Sequence, residues 1–160
     1  MAESGAGLLR FTRALAALRR EHPVFRRRRF FRGEPTGDGH LADIAWLTPS
    51  GREMGEKDWG THGRAMTVFL NGDEITEPGP HGERVRDDSF LIMLSAEHET
   101  LDFTVPGIKY GERWAVLADT AADAAADPAD QPELAAGDHV PLTGCSMVVL
   151  CRSTAGEDGQ

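Results

Sequence analysis

Beyond residue 40 the chain breaks into short apolar, β-prone runs with turn residues between them, and this rhythm limits the fold more than any other feature. Asp43-Ile-Ala-Trp-Leu47 leads into Pro49-Ser-Gly51. Ala65-Met-Thr-Val-Phe-Leu70 leads into Asn71-Gly72, a pair of the kind that closes hairpins. Ser89 to Ala96, Glu99 to Val105, Arg113 to Asp119, His139 to Leu142 and Cys145 to Cys151 bring the set to about seven, the spacing of an antiparallel sandwich. No helix-sized amphipathic stretch interrupts them, which argues against a parallel α/β sheet. The expected class is all-β, an antiparallel β-sandwich with one N-terminal α-helix.

That helix is read from a different period. Leu8, Phe11, Leu15, Leu18 and Phe25 fall at alternating spacings of three and four when His22 is counted, an apolar stripe on a helix from about residue 6 to 21. Ser4 is the expected N-cap. Pro23 stops the helix, because its ring clashes with the preceding turn and the residue before it is pushed out of the α region.

Charge divides the chain at the same place. Residues 1–33 hold nine arginines against Glu3 and Glu21, a net of +7, so the remaining 127 residues carry −16 of the total −9 balance. The block Arg26 to Arg29 has the clustered guanidinium groups that phosphate contacts need, yet the acidic bulk would repel a polyanion. Phe25, Phe30 and Phe31 bracket the block. The expectation is an extended segment pinned by aromatics, its arginines reaching acidic neighbours or solvent, with no nucleic-acid partner.

No apolar run approaches the 18 or so residues of a membrane span, and no signal core opens the sequence, so the default is a cytoplasmic protein without a membrane partner. Cys145 and Cys151 read as one strand, roughly 20 Å apart at about 3.3 Å per residue. Both are expected as buried, reduced thiols. Gly37-Asp-Gly39 is read as a turn, residues 121–137, rich in Ala, Asp and Pro, as a mobile loop, and Ser153 to Gln160 as a frayed tail.

Catalytic patterns are sparse. His22, His40, His62, His81, His98 and His139 lack the close pairings of metal sites, and neither cysteine joins them, so no metal and no cofactor is expected. A phosphate loop, a nucleophile elbow and Cys-x-x-Cys are all missing from the sequence. Asp87, Asp88, Glu97, Glu99 and Asp102 could supply the two carboxylates that cleave a glycosidic bond, but acidic residues near strand ends are far more often solvated surface. Among the aromatics, Trp46 and Trp114 lie in apolar runs and are expected in the core. Trp59 and Tyr110 lie in Gly-rich loops and are the candidate exposed carbohydrate contacts.

Leu8-Leu-Arg-Phe-Thr-Arg-Ala-Leu-Ala-Ala-Leu-Arg-Arg-Glu-His-Pro-Val-Phe-Arg-Arg-Arg-Arg-Phe-Phe-Arg-Gly33 resembles the closing helix of the catalytic barrel in bacterial isoamylase-type glycogen debranching enzymes of the α-amylase superfamily. The likeness continues in order through Asp43 to Met54, Asp58-Trp59, Val68 to Asp73, Asp88 to His98, Phe103 to Gly107, Trp114 to Thr120 and Gly144 to Arg152. Ser95 and Glu97 depart from the family's Asn-Ala-His-His stretch, and Cys145 stands where an arginine is common. The family's catalytic carboxylates lie in barrel motifs, and a (β/α)₈ barrel needs about 250 residues. No catalytic residue is carried over.

The resemblance implies two parts: residues 1–33 as the terminal helix and basic segment of a missing catalytic barrel, and 34–160 as the C-terminal β-sandwich domain. It implies a non-catalytic role in glycogen catabolism, with Leu8, Phe11, Leu15 and Leu18 as the barrel-docking face, each worth about 1.5 to 3 kcal/mol when buried. The implied partner is a barrel, in cis or in trans. Alternatively the stripe folds back on the sandwich or self-associates, or the chain is a stand-alone carbohydrate-binding module holding glycogen or another α-glucan.

Overall fold

Each β-prone run forms a strand. The computed structural model describes residues 2–35, 41–61, 64–122 and 133–152. Helix α1 (Ala2–Glu21) is followed by a 3-10 turn at Pro23–Arg26. The strands are β1 (Ile44–Leu47), β2 (Ala65–Leu70), β3 (Ser89–Ser95), β4 (Leu101–Thr104), β5 (Arg113–Asp119), β6 (Glu133–Ala135), β7 (His139–Leu142) and β8 (Ser146–Arg152), with a single-turn helix α2 (Asp58–Thr61) between β1 and β2. Six strands form one sheet in the order β1-β2-β3-β8-β5-β6, and β4 and β7 form a second. Every pairing is antiparallel, so the all-β sandwich with one N-terminal helix is the observed class.

Because side chains alternate across a strand, the six-stranded sheet has two apolar faces. The inner face presents Leu47, Phe69, Leu91, Met93, Trp114, Val148 and Leu150, and Phe103, Val105 and Leu142 from the β4–β7 side close over it with Tyr110. The outer face presents Val68, Leu70, Phe90, Val149 and Cys151, and meets Val24 with half-buried Phe11, Leu15, Leu18 and Phe25. Two apolar faces explain why Ala65–Leu70, Ser89–Ser95 and Ser146–Arg152 are nearly continuous apolar runs rather than alternating ones. A register shift between Val116 and Ala118 lets β5 serve both faces, with Val116 inward and Ala118 outward.

Several local expectations change. Ser4 lies inside α1, which begins at Ala2, so it is not the N-cap. Asn71-Gly72 does not close a two-residue hairpin: Asn71 is extended and its side chain accepts from the Asp73 amide at 3.1 Å, capping a 3-10 turn at Gly72–Glu74. Glycine is required at 72 because a Cβ there would come within 2.1 Å of the Asp87 carbonyl oxygen. The turn at Pro49-Ser-Gly51 does form, with Gly51 at φ 78 bringing Glu53 back beside Leu47.

Within the stretch read as a loop, residues 133–135 form β6, held by Leu134 opposite Trp114. Residues 123–132, the Gly37–Gly39 turn and the tail from Ser153 lie outside the described residues. Cys145 is exposed at φ 53, just before β8, so only Cys151 is a buried thiol. Among the described residues no helix is long and apolar enough to cross a membrane.

The basic segment is held by carboxylates of the body. Asp87 takes His22 Nδ1 at 2.7 Å and the Val24 amide at 2.9 Å. Glu77 accepts from the Arg28 and Arg29 amides at 2.8 and 2.6 Å, and Asp43 from the Arg32 and Gly33 amides at 3.1 and 3.0 Å. Arg27 is the arginine that turns inward: its side chain, 3% exposed, reaches Asp43 at 3.2 Å and Glu77 at 3.8 Å and lies 4.4 Å over the Phe31 ring. Phe25 and Phe31 thus pin the segment as expected, whereas Phe30 does not, being 96% exposed.

Candidate functional site

The carboxylates weighed for glycoside cleavage do other work. Both oxygens of Asp87 are engaged by His22, Val24 and the Asp88 amide. Asp88 lies beside Cys151, whose thiol is pushed up to about 12 by burial first and by the Asp88 carboxylate second. Glu97 and Asp102 line an open depression with Ser50 and Thr104. Asp102 pairs with His139 at 2.6 Å on the surface, Glu97 lies 4.0 Å from Arg64, and Glu99 is exposed.

His22, Asp87 and Asp88 have potential ligand atoms within 4.8 Å of one another, the spacing a metal ion would need. The hydrogen bonds that Asp87 makes to His22 and Val24 account for that cluster as a clasp between the N-terminal segment and β3.

A different arrangement forms at the β1 edge of the main sheet. Trp46 sits on β1, the edge strand, between inward-facing Ala45 and Leu47, so the pleat turns its indole away from the inner core. The hairpin after Leu47 returns along β1, with the Met54 amide bonded to the Trp46 carbonyl at 2.9 Å, and α2 then places Trp59 against Trp46. The two rings lie 5.5 Å apart at 64°, and are 39% and 47% exposed. They line a groove of about 420 Å³ with Ala42, Ile44, Met54 and Glu53.

Glu53 accepts from Lys109 Nζ at 2.7 Å and from the Tyr110 hydroxyl at 2.5 Å. Those two bonds, the lysine's first, hold its carboxyl below the usual range and keep it ionised. Tyr110 is shifted upward, by burial and then by Glu53. The arrangement pairs an apolar corner with a fixed anionic acceptor, a combination suited to a ligand with both C–H surface and hydroxyl donors.

Of the expected carbohydrate contacts, Trp59 is exposed and Tyr110 is not. Tyr110, only 1% exposed, folds over the inner core with its ring 4.9 Å from Phe69, and gives its hydroxyl to Glu53 beside the groove. Trp46, expected in the core, is the second exposed indole, while Trp114 is buried as expected. Strict alternation from Leu47 back along a short strand was the signal for Trp46. Nothing in the local sequence marked Glu53.

The expected docking stripe is divided. Phe11, Leu15 and Leu18 turn onto the outer face of the sheet, whereas Leu8 is 68% exposed beside half-exposed Leu9. Folding back on the sandwich is thus the observed destination for three of its four side chains.

Comparison with known proteins adds three collinear relatives and one family. The family model described as "Isoamylase, C-terminal" matches residues 43–154, the span of the sandwich from the start of β1 past the end of β8. Proteins named glycogen operon protein GlgX homolog, one from Mycobacterium bovis and two from strains of Mycobacterium tuberculosis, are each 49% identical over 122 residues. That alignment covers 75% of this chain and 17% of each relative, so the chain spans less than a fifth of the length of the relatives it matches.

Proposed function

The chain belongs to the isoamylase C-terminal domain family, and from that premise we propose that it is the non-catalytic sandwich of a cytoplasmic α-1,6-glucosidase of glycogen breakdown, docking on a catalytic barrel and stabilising it. The observation that carries this reading is the apolar surface left open on the N-terminal layer. Leu8, Leu9 and Phe30 face water although both faces of the sheet beneath are already covered. A phenylalanine exposed within an arginine block gains about 1.5 to 3 kcal/mol when a partner buries it. Exposed Arg26, Arg28, Arg29 and Arg32 around it favour an acidic partner surface. Whether the barrel is joined in the same chain or separate, the contact is the same.

The test uses a catalytic barrel of this enzyme class prepared without its own sandwich. Binding at a hundred times Kd raises a partner's stability by about 2.7 kcal/mol. Added chain is therefore expected to raise the barrel's Tm by several degrees and increase its hydrolysis of branched glucan, and Leu8→Asp combined with Phe30→Asp to abolish both effects. Glucan cleavage by the chain alone, or an unaltered barrel, would overturn the proposal.

A further inference from the structure

We propose that the groove between β1 and α2 is a binding site for a curved, neutral glucan chain, with Trp46 and Trp59 as its stacking platform and Glu53 as its hydroxyl acceptor. Large side chains normally lose their apolar area to the core, yet here two indoles stay 39% and 47% exposed side by side. Sugar rings offer a C–H face that an indole covers and hydroxyls at the rim that a carboxylate receives. At 64° to each other the indoles form a corner. Successive rings of an α-1,4-linked glucan are turned relative to one another and fit such a corner, whereas a flat β-linked chain calls for coplanar rings.

The polar group selects further. Lys109 and Tyr110 both bond Glu53 through Oε1, and a carboxylate has about four lone-pair sites, so acceptor capacity remains. A phosphate-bearing ligand would meet this ionised carboxylate in a chain of net charge −9. A polyproline segment, the other common guest of aromatic grooves, has no N–H or O–H on its prolines to give Glu53. A hydroxyl-rich, uncharged chain satisfies both halves of the site, and the groove's volume of about 420 Å³ is that of an ordinary small-ligand site. The platform requires only a pyranose; naming an α-glucan rests on the debranching reading above.

The experiment measures retardation of the full chain in native gels containing glycogen, and quenching of its tryptophan fluorescence by maltoheptaose, with cellohexaose and a decaproline peptide as comparators. Maltoheptaose is expected to bind, W59A and W46A to weaken it about tenfold or more, and W59F, which keeps a stacking ring, to recover most of the affinity. R113A, on β5 next to the opposite edge strand β6, should bind as the parent does. No retardation and no quenching, full binding by both alanine variants, or preference for decaproline or cellohexaose would each overturn the proposal. Barrel binding by the unmutated chain is scored separately: glucan binding without docking sinks the docking reading alone, and docking without glucan binding sinks this one.

Discussion

The two faces of the six-stranded sheet are covered in different ways. On the inner face Phe103, Val105 and Leu142 interlock with Phe69, Leu91, Trp114 and Leu150, all of them buried and all within the span the family shares. On the outer face Phe11, Leu15 and Leu18 are half-buried, and the cover is secured by Asp43, Glu77 and Asp87 receiving backbone amides. One layer is sealed by packing, whose energy scales with buried area. The other is clasped by charge-assisted hydrogen bonds, which depend on a few carboxylates and on pH. A clasped layer can stay attached while leaving Leu8, Leu9 and Phe30 for a partner.

The largest expected effect lies on the sealed side. Phe103→Ala should cost about 3 to 5 kcal/mol, read from urea unfolding; a loss below about 1 kcal/mol would mean that β4 and β7 do not close the core. Next comes the clasp. Asp43→Asn leaves Arg27 buried without its nearest anion, and removing one partner of a buried pair costs about 3 kcal/mol, whereas a change under about 0.5 kcal/mol would show that the segment is held by its aromatics instead.

Acid sharpens the same contrast. Burial pushes the Glu77 carboxyl up, but the amides of Arg29, Glu77 itself and Arg28, with the Arg27 charge, outweigh it and leave the group below its ordinary 4.5. A folded value below the unfolded one means stability that is full above pH 4.5 and lost as pH falls through the lower folded value. The Glu77→Gln variant should therefore lose stability near neutrality and show a flatter decline than the parent as pH falls below 4.5. An unchanged acid slope would remove Glu77 from the clasp. The smallest effect is expected at the far sheet edge, where Arg113 meets Glu133 at 3.2 Å in water. Arg113→Ala should shift stability by about 0.5 kcal/mol or less.

Strands were legible because their signal is local. Runs such as Ser146–Arg152 combine β-branched or large apolar residues with turn residues at each end, and their lack of alternation already implied cover on both faces. The identity of that cover was not legible, since nothing in the Leu8 to Leu18 stripe says whether it meets its own sheet or another chain. The same limit explains the exchange of roles between Trp46 and Tyr110. Glycines around Tyr110 suggested an open loop, but that loop folds over the core, with its Tyr110 carbonyl taken by Arg152 at 2.9 Å. Trp46 had an apolar setting, and its exposure depends on β1 being the edge strand, which is a property of the sheet order. Leu134, the one sizeable apolar side chain in a polar stretch, was enough to add β6.

The separation of a sealed face from a clasped layer, and the proposal that this layer meets a barrel, are tested most directly by hydrogen–deuterium exchange of the chain with and without the catalytic barrel. New protection is expected at the first half of α1 and at Arg28 to Gly33, with the amides of β4 and β7 unchanged. Protection confined to β4 and β7, or none anywhere at saturating barrel, would contradict the account.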